Sequence, residues 1–527
     1  MHPLKMKMHP FLKAPFDCII FIVLLDPPYN TGSDAFVYDD EFSMDSGEFA
    51  ENSGAVDEDG NRLFDMRVNN ESNGRFHTDW LNMIYPRLRL AKDLLAEDGV
   101  IFISIDYHEN FSMRQLLDMV FSGAGFVGEI YWESKTKSQN TETSFNKLQP
   151  KAEMIYVYSR QRKRRFNLIV KGKKDYSLTD ENGVYREHEL EVMNANGVRG
   201  RETMVFDISD EVATVSLPTG KQWQLGQAQV ATYKNRGDLF IRDGKVIIKM
   251  RPDDERSEQT EPFWGFFDKT MGTAESAKKE LTAIIGKNGF ETVKPVDIIK
   301  RLIYHATNDN DIILDFFSGS ATTAHAVMQL NAEEMSTGGG QGRRKFIMVQ
   351  LPEATAEKSE AKKAGYNTIC EIGEERIRRA GKKIKEETGA DIDYGFRVFK
   401  VDSSNMKDVY YRPQDLKQEN IELFADNIKE DRTPEDLLFQ VMLDLGVLLS
   451  SKIEEKDIAG KKVFYVENGY LIACFDEKVT EEVVTAIAKE KPFYAVFRDS
   501  GMASDSVITN FEQIFETYSP RTVRKVL

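Results

Sequence analysis

A chain of 527 residues, 41% hydrophobic and 30% charged, is long enough for a large buried core and has the balance of a soluble globular protein, with about three or four domains expected from length. Its net charge of −16 argues against indiscriminate coating of nucleic acid but is compatible with a local basic groove, because phosphate contacts depend on where Lys and Arg sit. Cys18, Cys370 and Cys474 are too widely spaced for a zinc site or a disulfide framework, and no phosphate loop of the Gly-x-x-x-x-Gly-Lys type occurs, so the expectation is a cytoplasmic protein without metal and without an ATP motor.

Residues 1–14 read as an irregular leader. The apolar run 18–25 then predicts a strand buried on both faces. It is too short to span a bilayer and ends in Asp26-Pro27-Pro28 rather than a small-residue cleavage site, so neither a membrane anchor nor a secretory signal is expected. Two consecutive prolines stop ladder and helix alike, which holds Asp26 and Tyr29 at a strand's carboxyl end, where open α/β sheets place their ligands. An ionised Asp26 only accepts hydrogen bonds, Pro27 adds a carbonyl, and Tyr29 adds a flat face. Together they make a cradle for the exocyclic amine of an extruded nucleobase.

Residues 33–73 are acidic and rich in Gly, Asn and Ser, a long surface loop able to move over a site. A helix follows, with Leu81, Ile84, Tyr85, Leu88 and Leu94-Leu95 on one face and a stop at Asp98-Gly99. Residues 100–106 predict a second buried strand ending in Asp106, read as a cap or turn residue. A helix through Met113, Leu116, Leu117 and Val120 comes next, then strands at 128–132 and 153–158. The layout so far is α/β.

At Arg160 the pattern changes. The densest positive run, with Arg162, Lys163, Arg164 and Arg165, opens a stretch of short strands and turns that carries Tyr185, Trp223, Tyr233, Trp264 and Phe266. A mostly β or mixed module with a basic entry suits a DNA-reading insert, its cations on phosphates and its polar side chains on base edges.

Two helices after Ser276 lead to residues 311–323, predicted as strand, small-residue loop and helix, with Gly319 allowing backbone to approach a cofactor closely. Strand 345–350 closes with Leu351-Pro352-Glu353, and an acid at that place commonly holds a ribose diol. The charged helix 371–389 pairs Glu374 with Arg378 and Glu375 with Arg379, most simply a solvated or interface face. The remainder is a separate α/β tail without a catalytic constellation.

Asp26-Pro27-Pro28-Tyr29 ahead of Phe317-Ser318-Gly319-Ser320, with an insert between, resembles the β-class amino-methyltransferases acting on DNA, and in particular the modification (Mod) subunits of type III restriction-modification systems. Residues 26–38, 99–109, 315–323, 344–353 and 395–405, the Lys294-Pro295 stretch and the tail beyond Thr433 carry the likeness. The resemblance implies an α/β fold: a Rossmann-like S-adenosylmethionine-dependent methyltransferase core with an inserted target-recognition domain and a C-terminal α/β domain. It divides the chain into a catalytic half at 1–159, the insert at 160–275, a cofactor-binding half at 276–400 and a partner or dimer domain at 401–527.

The implied reaction transfers a methyl group from S-adenosyl-L-methionine to adenine N6 in double-stranded DNA. Asp26, Pro27, Pro28 and Tyr29 are then catalytic, and Lys294, Pro295, Asp315, Phe317, Ser318, Gly319, Ser320 and Glu353 bind the cofactor. A homodimer and a restriction (Res) subunit are the implied partners. Cytosine-N4 methylation, whose enzymes more often begin the corner with Ser, and a catalytically silent DNA- or partner-binding subunit are the alternatives. Three departures from the pattern stand out. Few residues precede the corner, so the chain is expected to be N-terminally shortened. Ala321 replaces a frequent second glycine, a mild change if that position is helical. Gln350 stands where relatives often carry the acid, which passes the ribose role to Glu353.

Overall fold

The apolar run that precedes Asp26 forms β1 (Ile20–Leu25), and its alternating side chains enter two different cores, Val23 and Leu25 on one face and Ile22 and Leu24 on the other. A strand buried on both faces belongs at the centre of a sheet covered on both sides. The computed structural model describes residues 20–32, 35–38, 65–69, 72, 74–137, 148–160, 165–195, 200–256, 258–290, 292–402, 404–407 and 428–527. These fall into two units, the larger running to Gly395 and the smaller from Phe396 to Leu527. The leader and the basic residues Arg162, Lys163 and Arg164 lie outside the described residues.

Six further strands complete the sheet of the larger unit: β2 (Leu95–Ile105), β3 (Phe126–Trp132), β4 (Glu153–Ser159), β5 (Phe266–Phe267), β6 (Ile312–Asp315) and β7 (Lys345–Met348). Their order is β5-β3-β4-β2-β1-β6-β7. β1 runs parallel to β2 and β6, and β6 parallel to β7, whereas β4 is antiparallel to β2 and β3. Leu24 is in register with Phe102 on one side and Asp315 on the other, so the corner after β1 and the loop after β6 leave the sheet at one edge. Because β4 runs the other way, Met154 pairs with Ile105 and the start of β4 reaches that same edge.

Helices cover both faces. On one, α1 (Phe76–Leu94) and α2 (Asn110–Phe121) bury Trp80, Ile84, Leu88, Met113 and Leu117 against Val23, Ile101 and Ile103. On the other lie α3 (Ala274–Ile285), α4 (Val296–Ala306), α5 (Thr322–Thr337) and α6 (Ile369–Thr388). There α4 buries Ile298, Ile299, Leu302 and Ile303 against Ile22, Val100 and Phe102, each side chain contributing roughly 1.5–3 kcal/mol relative to exposure. The first helix ends at Leu94, before the Asp98-Gly99 stop. Gly99 instead sits within β2, where a Cβ would meet Leu95 Cδ2 at 2.8 Å and the Ala96 carbonyl at 3.0 Å. Asp106 is the expected turn residue, accepting from the His108 backbone N–H at 3.0 Å. Within the acidic loop, Ala35–Tyr38 pairs antiparallel with Asp65–Val68.

Between β4 and β5 the insert forms a four-stranded sheet and several two-stranded ones over a small core of Leu190, Ile208, Trp223, Val230, Leu239, Val246 and Ile248. Many of its cations are spent internally: Arg251 donates to Asp238 at 2.6 Å and Asp180 at 2.9 Å, and Arg186 to Glu255 at 2.6 Å. Phe266 and Phe267, which the sequence places in the insert, pair with Tyr131 and Trp132 as β5 of the main sheet.

The smaller unit has a five-stranded sheet of Ile453–Ile458, Lys461–Val466, Leu471–Cys474, Tyr494–Phe497 and Val523–Val526, in that order. Its helix Pro434–Asp444 starts with a capping box, Thr433 and Asp436 each satisfying the other's backbone N–H. Cys474 is fully buried in this unit's core. Among the described residues, no helix is long and apolar enough to cross a membrane.

Candidate active site

The double proline turns the chain sharply after β1, and three side chains hold the turn. Tyr29 folds back so that its hydroxyl donates to Asp26 Oδ1 at 2.7 Å. Trp80 of α1 donates its indole N–H to the Pro28 carbonyl at 2.7 Å. Asn30 adopts a left-handed backbone, φ 60°, a conformation Asn tolerates better than most side chains. Fully buried, Asn30 donates to Glu109 Oε1 at 2.6 Å and accepts from Asn69 at 2.8 Å, while His77 Nδ1 lies 2.6 Å from the same Glu109 oxygen. The other Glu109 oxygen is buried with no partner among the described residues.

On the open side of the corner stands Lys294, from the segment just ahead of α4. Its Nζ donates to Asp26 Oδ1 at 2.9 Å, to the Tyr29 hydroxyl at 2.5 Å and to Glu153 Oε2 at 3.1 Å. Burial works to lower its pKa, but the Asp26 and Glu153 carboxylates outweigh burial and hold the ammonium above its ordinary value. Glu153 shows the converse: burial raises its carboxyl, the adjacent ammonium lowers it, and the net displacement is downward. Tyr29 is pushed well above the usual phenol value, first by burial and then by the two neighbouring carboxylates, so it stays protonated and keeps its hydrogen to donate.

Asp26 and Lys294 also line a cleft of about 650 Å³, counting its open mouth, together with Phe290, Asp315, Phe317, Ser318, Gly319 and Ser320. The loop after β6 is pinned from outside: Ser318 donates its N–H to the Val349 carbonyl at 3.2 Å and Gly319 to Gln350 Oε1 at 2.8 Å. Arg376 of α6 is fully buried beneath the loop and donates to Ser320 Oγ at 2.9 Å and Thr322 Oγ1 at 2.6 Å. Gly319 has φ +47°, and a Cβ there would meet only ordinary contacts with Phe290 at 3.6 Å, so backbone conformation rather than space requires glycine. Asp315 is buried at the strand end, its carboxyl pushed up to about 7 by desolvation despite donors from Thr323 Oγ1 at 2.7 Å and the Phe317 N–H at 3.1 Å. An apolar wall from Phe290 and Phe317, a small-residue loop and a buried acid fit a nucleoside-bearing cofactor.

The structure therefore gathers Asp26, Lys294, Asp315, Phe317, Ser318, Gly319 and Ser320 around one cleft. Pro27 is buried behind the corner, and Pro28 is tied to Trp80. Pro295 is the N-cap of α4 and lies outside the lining, as does Glu353, whose partly buried carboxyl is raised by desolvation. Gln350, passed over as a ribose ligand, accepts from the Gly319 N–H of the loop. Arg165 is exposed. Ala321 departs from its expectation: it is not helical but caps α5 with φ 60° and ψ 40°, the left-handed region that favours glycine. Sequence reasoning missed Trp80, Asn30, Glu109, Glu153 and Arg376. For Glu153 the available signal was an acid opening an apolar strand, and for Arg376 an arginine on the apolar stripe of Ile372, Ile377 and Ala380.

At one edge of a mixed α/β sheet, a carboxylate and a phenol thus stand beside a cleft lined by a small-residue loop. The chain belongs to the DNA methylase family, whose family model matches residues 20–382. It is similar to the StyLTI Mod subunit, a type III restriction-modification enzyme of Salmonella typhimurium, at 32% identity over 72% of this chain and 56% of that protein. It is also similar to the EcoPI Mod subunit of Escherichia phage P1, at 29% over 89% of this chain and 74% of the relative. The EcoP15I Mod subunit of Escherichia coli is 27% identical over 93% of this chain and 77% of its own length. The chain thus spans little more than half of the Salmonella protein and about three quarters of the other two.

Proposed function

We propose that this chain is the modification subunit of a type III restriction-modification system, transferring a methyl group from S-adenosyl-L-methionine to adenine N6 in double-stranded DNA. The observation that carries this reading is that Asp26 and the loop from Phe317 to Ser320 line the same cleft, so an amine held on Asp26 faces whatever the loop holds. When bound, the cofactor would supply an electrophilic methyl group on a sulfonium.

The protein's own contribution is acceptors and alignment. Asp26, with the Pro27 carbonyl, receives the two hydrogens of the target amine and turns the nitrogen lone pair toward the cleft. As the new N–C bond forms, positive charge grows on that nitrogen, and a fixed carboxylate beside it stabilises the charge and receives the departing proton. Tyr29 offers its ring to the extruded base. Phe317, Ser318, Gly319 and Ser320 hold the cofactor, with Asp315 and Lys294 at its flanks. Arg165 and the neighbouring basic residues contact DNA phosphates, the insert reads the bases, and a Res subunit and a second copy are the partners. Asp rather than Ser at the head of the corner favours adenine over cytosine as the target.

The test uses tritiated S-adenosylmethionine and genomic DNA from a host lacking this gene. Wild-type protein is expected to label the DNA, with nucleoside analysis returning N6-methyladenine. Asp26→Ala is expected to reduce labelling by at least about 100-fold with unchanged cooperative melting. Full-rate labelling by Asp26→Ala would exclude the assigned role.

A further inference from the structure

Lys294 presents a nitrogen with hydrogen-bond donors to Asp26 Oδ1 at 2.9 Å, one of the two carboxylate oxygens open to a target amine. Its three N–H directions are all used, on Asp26, on the Tyr29 hydroxyl and on Glu153. The lysine side chain is 10% exposed and the Glu153 side chain 12%, so neither has ready access to water as a replacement partner. An amine arriving at Asp26 Oδ1 must displace the ammonium from that oxygen, and a displaced ammonium left without a counter-charge in this setting is strongly unfavourable. Glu153 already supplies that counter-charge at 3.1 Å, and the rings of Tyr29 and Trp132 flank the nitrogen at 5.1 and 5.2 Å.

We propose that the Lys294 ammonium is a resident stand-in for the target amine on Asp26, and that Glu153 is the positioning residue that takes the ammonium over when the base enters. This inference rests on the methyltransferase reading. In the free protein the lysine keeps the Asp26 and Glu153 carboxylates from repelling each other and holds Asp26 in orientation. With the base in place, Glu153 retains the lysine and Asp26 is released to the amine. No bond is made or broken by either residue. Their work is to make the exchange of one nitrogen for another nearly even in energy.

The consequence is a specific dependence between the two residues. Glu153→Gln removes the alternative carboxylate while preserving size, so Lys294 stays on Asp26 and competes with the base. In the labelling assay above, full-length Glu153→Gln is expected to transfer methyl groups about tenfold more slowly than wild type, with S-adenosylmethionine affinity by calorimetry within about twofold. The double variant Glu153→Gln with Lys294→Met is expected to be at least about threefold faster than Glu153→Gln alone, because nothing then competes for Asp26; a merely structural role for Glu153 gives no such rescue.

Wild-type rates in Glu153→Gln, or a double variant no faster than the single one, overturn the proposal. If Glu153→Gln loses cooperative melting, Glu153→Asp is compared instead: its retained charge predicts a rate within about threefold of wild type, and a larger loss overturns the proposal. No labelling by the wild-type chain overturns the methyltransferase reading and this inference with it, an outcome distinct from failure of the variants alone.

Discussion

Asp315 carries two burdens, closing β6 and facing the cleft. Thr323 and the Phe317 N–H donate to its two oxygens, yet burial and the nearby Asp26 keep its carboxyl up at about 7 instead of 3.8. The folded protein therefore holds this proton over a range in which the unfolded chain has lost it. Stability from this group is present at acid pH and is lost as pH rises from about 4 through about 7. Asp315→Asn should remove that negative slope, raising unfolding free energy at pH 7.5 relative to pH 5 by up to about 2.5 kcal/mol compared with wild type, as read by urea unfolding at the two pH values. An unchanged slope would mean that Asp315 is ionised throughout. Asp26, by contrast, was legible without a structure, because an acid followed by two prolines after an apolar run leaves little freedom in where its carboxylate can go.

The loop between β6 and α5 lines one side of the cleft, and it is held by parts that do not adjoin it in sequence. Gln350 accepts from one of its amide N–H groups, Arg376 donates to the Ser320 hydroxyl and to that of Thr322 at the start of α5, and Gly373 of α6 lies where a Cβ would come within 3.3 Å of the Gly319 carbonyl. The charged face of α6 was visible from Glu374, Arg378, Glu375 and Arg379, which do pair at 2.7 and 2.6 Å. Its buried face was not, because an arginine in a charged helix reads as solvated until a packed neighbour is known. Ala321 sits in this loop with a left-handed backbone that costs an ordinary side chain about 1–2 kcal/mol, against a smaller entropic cost for glycine. Ala321→Gly is accordingly expected to stabilise the protein by up to about 1 kcal/mol, seen as a higher urea midpoint with unchanged slope. A lower midpoint would show that the alanine methyl, packed beside Gly373, contributes more than the strain costs.

At the scale of the whole molecule, the residues from Phe396 to Leu527 have a sheet and two apolar clusters of their own, one around Phe497, Phe511 and Phe515 and one around Leu438, Met442 and Phe464. A unit with its own core should fold alone. Residues 396–527 expressed by themselves are expected to melt cooperatively, and the full chain to show a matching transition by calorimetry; a fragment without a cooperative transition would contradict this. The sequence located this unit through Thr433-Pro434 and its apolar strands, but did not pick out the outer strands Ile453–Ile458 and Val523–Val526, whose exposed and charged residues lack a clear period.

Local chemistry alone determined the alternation of strands and helices, the rigid corner at Asp26, the small-residue loop at Gly319 and the family resemblance, because each is written in adjacent residues. Only the tertiary structure decided which side chains share the site. Lys294 reaches Asp26 across 268 positions of sequence and Glu153 reaches Tyr29 across 124, and Glu153 does so because β4 runs antiparallel to β2, delivering its first residue to the edge where the parallel strands end. Strand direction is set by how the sheet buries its two faces, a property of the whole core that no single stretch of residues contains.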